Sequence, residues 1–531
     1  MPQTDKPQSD SPTAEPTVEP IPPRYWWLKR IGVGVGVLLI ALVALRLWWG
    51  WEANRRLQAE IDRIIAAGEP IYPEDFDPKE EIPDDQNAAR LLIAATDAFN
   101  FSAEQTALLG KVCGTDSLLR KRLTEVRTLV EDNAEALRLA RRARALPTAD
   151  WGVRIRTPAM VTSLAGFTGQ RQLNRLLDVA AGYYHAAGKD FEAVEVLRDA
   201  LAHADRLQQQ PSLFAPLVAR VCAELAMQRI ESILPTLRVA DDEGEIVEGR
   251  QNASRAQIRA LLAELADERE TRAGMRRAMM CARMFQVDIL KQLSQGKTSV
   301  SGILGLRAWA AFSFDDVMWR YPLFPAVTLD GVSLLRETTS LAKTADLRTF
   351  PEMQAGLQSG EEASGFRALV HPLRSMLPVS LDRSVVNYSM ALTQRRLPAA
   401  ALAIRLYEVD HGRRPEALAD LVPEYLPAVP QDPFAEAGRA IVYLPSAAHP
   451  IVYSVGENGV DDGGDPKREN TVTKGYWPPD IVFFLDGWRE DEKDNEDQAW
   501  VPPSTQAGDD DVQESADDRK EDENGDGEEK P

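Results

Sequence analysis

Residues 31–45 read IGVGVGVLLIALVAL, fifteen positions without a polar side chain. As a helix this run covers about 22 Å; carried through Arg46 to Trp51 it reaches about 31 Å, the thickness of a bilayer core. Tyr25, Trp26 and Trp27 precede it, and Trp48, Trp49 and Trp51 follow it. Amphipathic rings on both flanks suit the two membrane–water interfaces, and Arg46 is near enough to one end to snorkel outward. The run is therefore expected to anchor residues 24–51 in a lipid bilayer through positions 31–51. A cleavable signal peptide fits less well, because about thirty residues that include acids come first and Leu47-Trp48-Trp49 stands where small residues would be needed. Gly32 and Gly36 have the spacing of a helix-packing pair, a pattern that chance glycines also give.

Residues 1–23, rich in Pro, Ser, Thr and acids, read as a disordered tail. Beyond the anchor, Leu57, Ile61, Ile64 and Ile65 share a helical face, and Gly68 and Pro70 end that helix. Helical periodicity then dominates a domain expected over 52–380. The candidate segments are 87–99, 103–109, 118–146, 169–187, 190–208, 212–234 and 254–293, with loops or short strands at 151–158 and 239–249. The stretch YYHAAGKDFEAVEVLRDALAHADRL resembles a tetratricopeptide-type helix hairpin at Tyr184, Gly188, Ala193 and Ala200. No 34-residue period surrounds it, so an ordinary hairpin and a peptide-binding repeat array both remain open. Cys113, Cys222 and Cys281 are odd in number and far apart, which argues for small core residues over a disulfide framework or a zinc site.

The third region, 381–486, combines several signals. Residues 382–409 should be helical, with a kink or restart at Pro398, and Gly412 can close the helix in a left-handed conformation. Leu418, Leu421 and Val422 form a short apolar turn. Pro430-Gln431-Asp432-Pro433-Phe434 is a turn in which Pro433 fixes φ and Phe434 can plug the base of a sheet. Residues 441–444, 451–454 and 481–485 are β runs. Tyr407, Gly412, Pro415, Asp432-Pro433 and Tyr453-Ser454-x-Gly456 together resemble the globular region of the major pseudopilin of type II secretion systems. That resemblance covers about one fifth of the chain. It implies a helix packed on a three-stranded antiparallel sheet, an exported domain and a calcium loop. Carried over, Asn458 takes the first acid position of that loop and Asp480 the second, with Ser454 contributing an oxygen. Asn458 replaces a carboxylate, for which Asp461, Asp462 or Asp465 would compensate. Other departures are Ala435 in place of the family's Gly, an insertion over 467–479, and the missing Phe-Thr-Leu-x-Glu start. Processing and polymerisation as a pilin are accordingly not expected. An Asp/Gly turn with solvated acids is the alternative reading of the loop.

The chain of 531 residues has a formal charge of -21, and 486–531 alone holds 19 acids against 5 bases. Residues 487–531 read as a disordered acidic tail, and the sign of the charge excludes nucleic acid as a partner. None of His185, His203, His371, His411 and His449 belongs to a metal-protease or nucleophile motif, and no phosphate-binding glycine loop is present. The expected fold is mainly α: a membrane-anchored helical domain followed by a small α+β pilin-like domain. The expected role is non-catalytic: a single-pass inner-membrane protein with its N-terminus in the cytoplasm and its body outside, acting structurally or as an interaction partner of envelope proteins such as those of secretion or pilus-type machinery. A helical-repeat adaptor for proteins or peptides and an envelope hydrolase are the alternatives.

Overall fold

The computed structural model describes residues 25–488, apart from 79, 158–166, 241–245, 248–249, 296–323, 345–348, 357–380, 437 and 465–479. The tail expected over 1–23 lies outside the described residues, as does the tail expected over 487–531 beyond Trp488. The anchor and the helix expected after it are one element, α1 (Trp26–Ala66). Arg30 lies over the Trp26 ring and Arg55 over the Trp51 ring, 4.2 and 5.8 Å from their centroids, one pair at each end of the apolar stretch. Gly68, at φ +72°, follows the last turn. Ile61 and Ile64 are buried, but Ile65 is 49 % exposed. At 100° per residue Ile65 stands about 80° from Leu57, off the stripe that Leu57, Ile61 and Ile64 form.

The helical body contains α2 (Ala88–Asp97), α3 (Ala103–Val112), α4 (Asp116–Lys121), α5 (Leu123–Asp132), α6 (Ala134–Arg144), α7 (Phe167–Ala186), α8 (Asp190–Leu207), α9 (Ala215–Ile233), α10 (Arg255–Ala266), α11 (Arg269–Ser294), α12 (Phe324–Thr344) and α13 (Phe350–Gly356). Two starts have reciprocal caps: Ser102 with Gln105 opens α3, and Ser254 with Gln257 opens α10. Two segments that read as single helices are interrupted. The 118–146 stretch is divided among α4, α5 and α6. At Asn133 the side-chain amide donates to Leu129 O and its Oδ1 accepts from Asn100 N–H, a local alternative to helical bonding. The 254–293 stretch breaks at Asp267, whose Oδ1 accepts from Arg269 N–H. Four two-residue strands, β1 (Val239–Ala240), β2 (Ile246–Val247), β3 (Arg250–Gln251) and β4 (Ala253–Ser254), form two small pairs, β1–β4 parallel and β2–β3 antiparallel.

The hairpin of α7 and α8 turns through Gly188 at φ +75°, and Ala193 and Ala200 are buried. Helices α6, α7, α9 and α10 all pack against α8.

Helix α14 (Leu381–His411) runs through Pro398 without a restart. Gly412 closes it at φ +67°, donating its N–H to Glu408 O. Strands β5 (Val442–Leu444), β6 (Ile451–Ser454) and β7 (Ile481–Phe484) make an antiparallel sheet in the order β5-β6-β7. Alternation along β6 and β7 turns Val452, Ser454, Ile481 and Phe483 to one face, and α14 packs against both strands. It also packs against α9, α10, α11 and α13. Because α14 is covered on both sides, Ala400, Ala401 and Ala403 are fully buried, where larger side chains would hold the layers apart. One hydrophobic cluster accordingly extends from α2 to β7.

Polar contacts fasten the same joint. Arg395 is bidentate to Asp205 and also donates to the carbonyls of Glu264 and Asp267, while Arg396 is bidentate to Glu268. The outer edge of β7 is covered as well, since Phe484 N–H donates to Glu231 Oε1 of α9 at 2.6 Å.

Candidate functional site

The loop after β6 brings together part of the residue set named from the sequence. Ser454 is committed inward: its hydroxyl donates to Asp432 Oδ1 at 2.6 Å, and both residues are buried. Asn458 donates to Asp462 Oδ2 at 2.9 Å, and its own Oδ1 accepts from Val460 N–H. Asp461 accepts from the Tyr453 hydroxyl at 2.9 Å and pairs with Arg439. The Tyr453 hydrogen bond is the largest of the influences that hold the Asp461 carboxyl below its usual range; in return, burial and Asp461 raise the Tyr453 hydroxyl. Asp465 lies outside the described residues. Asp480, at the entry to β7, is fully buried, and its Oδ2 accepts from Gly464 N–H at 2.7 Å.

Asp480 is the residue that best suits a cation. Its Oδ1 is buried without a hydrogen-bond partner among the described residues. Burial is the largest cause that pushes its pKa up, the neighbouring Asp462 and Asp461 add to it, and the Gly464 hydrogen bond opposes it. Gly464 allows the approach: a Cβ there would lie 2.3 Å from Ile451 Cδ1, and its φ of +77° disfavours any side chain. Ser454, Asn458 and Asp461 are turned to other partners. Among the described residues, no three His, Cys, Asp or Glu side chains are grouped to hold a metal ion. Calcium would thus rely on Asp480 and Asp462, with Asp461 neutralised by Arg439.

Asp432 has a role that the turn motif alone did not reveal. Its Oδ1 accepts from Ser454 Oγ and from Phe434 N–H, and its Oδ2 accepts from Val455 N–H at 2.8 Å. One buried carboxylate therefore ties the Asp-Pro-Phe turn to the end of β6. Phe434 is fully buried, with its ring 5.0 Å from that of Phe350 on α13. The signal available in the sequence was an Asp before Pro inside an apolar context; its partners lie 22 and 23 positions further on.

The described histidines have packing partners. His203 is buried against Gln170, and burial lowers its pKa to about 3, so the ring is neutral. His411 stacks on Tyr407, and His449 stacks on Trp488 beside Asp486. His371 lies outside the described residues. His185 Nδ1 is 2.6 Å from Asp190 Oδ1, and its Nε2 is 2.9 Å from Thr236 Oγ1. Carboxylate, imidazole and hydroxyl thus follow the order of a nucleophilic triad. However, Asp190 Oδ2 also accepts from Arg238 N–H, and the ring is only 5 % exposed, so the chain of bonds fixes the α7–α8 turn to the segment entering β1. Between α9, α11 and α14 lies a cavity of about 50 Å³ lined by Phe214, Leu217, Met275, Met279, Tyr388 and Arg395. It has room for a few water molecules and is well below the roughly 300 Å³ at which ligand pockets begin.

One helix among the described residues, α1, is long and apolar enough to cross a membrane. Among the described residues, all but four of the exposed large hydrophobic residues lie in the stretch from Tyr25 to Trp51; the others are Ile65, Leu217, Ile246 and Val460. No family model, curated protein or solved structure matches this chain.

Proposed function

We propose that this chain is a single-pass membrane protein of the bacterial envelope whose folded body serves a structural or interaction role without catalysis. The observation that supports this best is the division of α1: large apolar side chains stand exposed from Tyr25 to Trp51, and the same helix is fastened in the body from Ala53 onward. Left in water, that apolar surface would be an aggregation hazard; lipid is the solvent it suits. The N-terminus is assigned to the cytoplasm and the body to the far side of the inner membrane. The helix on a three-stranded sheet is compatible with the pilin-like reading of 381–486 and with partners in secretion or pilus-type machinery. The spanning segment is α1, separated from α14 by the whole helical body, and the processed start of a pilin is missing from the sequence. The chain is therefore proposed to act beside such machinery and not as a filament subunit.

Two measurements test this reading. Alkaline extraction of membranes should leave the full chain in the pellet, and crosslinking in intact cells should capture other envelope proteins; release by alkali would remove the anchor. Calcium binding is proposed at Asp480 and Asp462. Calcium chloride should raise the melting temperature of the full chain and a chelator should reverse the rise, while Asp480→Asn should abolish it. An unchanged melting temperature would remove the metal.

A further inference from the structure

The transition along α1 from exposed to buried is abrupt. Trp51 is 62 % exposed, whereas Ala53 is fully buried. No flexible spacer separates the two parts, because Trp26–Ala66 is a single helix without proline. Contact with the body begins inside the aromatic belt itself: a Cβ on Gly50 would lie 3.9 Å from Pro325 Cγ. That same Cβ would meet Arg46 Nη1 at 2.8 Å, so the Arg46 side chain runs along Gly50 toward the body and away from the apolar run.

The contacts above Gly50 set the directions of the neighbouring helices. Gly50 lies beside Pro325, and further along Glu60 pairs with Arg336 at 3.1 Å, so α12 runs parallel to α1. Leu290 lies against Gly331, and Arg283 Nη1 reaches Thr339 Oγ1, so α11 runs antiparallel to α12. Ile61, Ile64, Val287 and Leu335 fill the space between the three. The first turn of α12 is therefore level with Gly50. Leu290 is six residues above Pro325 by this register, about 9 Å at 1.5 Å per residue, and Ser294 and Gln295 descend most of that height again. Exposed Lys291 sits one turn above them.

We propose that the lower end of this three-helix unit, made by Trp48–Trp51, the first turn of α12 and the last turn of α11, is seated in the headgroup layer of the bilayer. The partner is the lipid surface. The body is then held at a fixed height and rotation by a continuous helix instead of swinging on a linker, and Arg46, Arg55 and Lys291 stand at the level of the lipid phosphates. This inference rests on the reading that residues 31–51 span the membrane, and the experiment separates the two.

The full chain is reconstituted in vesicles of phosphatidylcholine and phosphatidylglycerol, and an environment-sensitive fluorophore is attached at Ile40→Cys, Ser294→Cys, Gln295→Cys or Lys343→Cys in turn. Lys343 is the control, about 27 Å above Pro325 along α12. Nitroxide carried on the headgroup should quench the labels at 294 and 295 several-fold more than the label at 343, and nitroxide in the acyl chain should quench the label at 40. Inserting seven alanines after Trp51 keeps the helical phase and raises the body by about 10 Å. Headgroup quenching at 294 and 295 should then fall to the level at 343, with quenching at 40 unchanged. If 294 and 295 match 343 in the parent chain while 40 is quenched, the helix spans but the body stands clear, and the proposal is overturned. If 40 is not quenched, the spanning helix fails and takes the proposal with it.

Discussion

Replacing Asp432 by alanine removes the acceptor for three donors at once. Ser454 Oγ can rotate toward another partner, but the N–H groups of Phe434 and Val455 cannot, and both residues are fully buried. A buried donor left without a partner costs about 1–3 kcal/mol, so Asp432→Ala should destabilise the end of β6 by about 4 kcal/mol. Asp432→Asn gives a graded control. Its carbonyl oxygen still accepts from Phe434 and Ser454, while its NH₂ faces Val455 N–H, so one donor is stranded and the loss is about 1–3 kcal/mol. Hydrogen exchange reads this locally, because opening of the sheet is measured at the amides that it protects. At about 1.4 kcal/mol per tenfold, amides of 451–455 should exchange roughly 1000-fold faster in the Ala variant and 10- to 100-fold faster in the Asn variant. Amides of α7 and α8 should be unaffected. Equal protection in Ala and parent, or faster exchange in Asn than in Ala, would refute the assignment of Asp432 as the tie between turn and strand.

Other consequences concern the helical body. Burial alone would raise the Glu195 pKa, but hydrogen bonds from Arg144, Gln257 and Arg198 outweigh it and hold the carboxyl at about 2. Its stabilisation is present above the unfolded pKa of about 4.3 and is lost as pH falls toward 2. Glu195→Gln should therefore melt below the parent at pH 7, with the gap narrowing between about pH 4 and pH 3; a constant gap would refute the ion-pair account. Arg229, bidentate to Asp178 with both side chains 1 % exposed, should cost about 3–5 kcal/mol when changed to Met, because Asp178 is left buried. Adding Asp178→Asn should recover part of that loss in urea melts, since the amide oxygen still accepts from Gly114 N–H. Burial pushes the thiols of Cys222 and Cys281 up to about 12, so maleimide should label neither in the native chain and both in denaturant.

The features legible in the sequence are those set by neighbours a few positions apart. Ser102 with Gln105 and Ser254 with Gln257 are three residues apart, Gly412 ends α14 by its own backbone freedom, and the β runs alternate within four residues. The breaks at Asn133 and Asp267 escaped because each depends on a polar side chain that competes with helical bonding, one of them through a partner 33 residues away. The roles of Asp432 and Glu231 escaped for the same reason at longer range, Glu231 meeting β7 across 253 positions.

Helix α14 shows how far local pattern can mislead about organisation. Its alanine-rich centre reads as an ordinary helix with a weak apolar face, because small residues give little periodic contrast. In the structure that absence of contrast is the signal. Ala400, Ala401 and Ala403 allow β6 on one side and α9 and α10 on the other to close on the same helix, with Arg395 and Arg396 fixing it to the acids and carbonyls around α8, α10 and α11. Large side chains at these positions would force the layers apart and cost about 1–3 kcal/mol each. The sheet is thus built into the helical body, and the body is fastened to the apolar helix α1 at its α11–α12 flank.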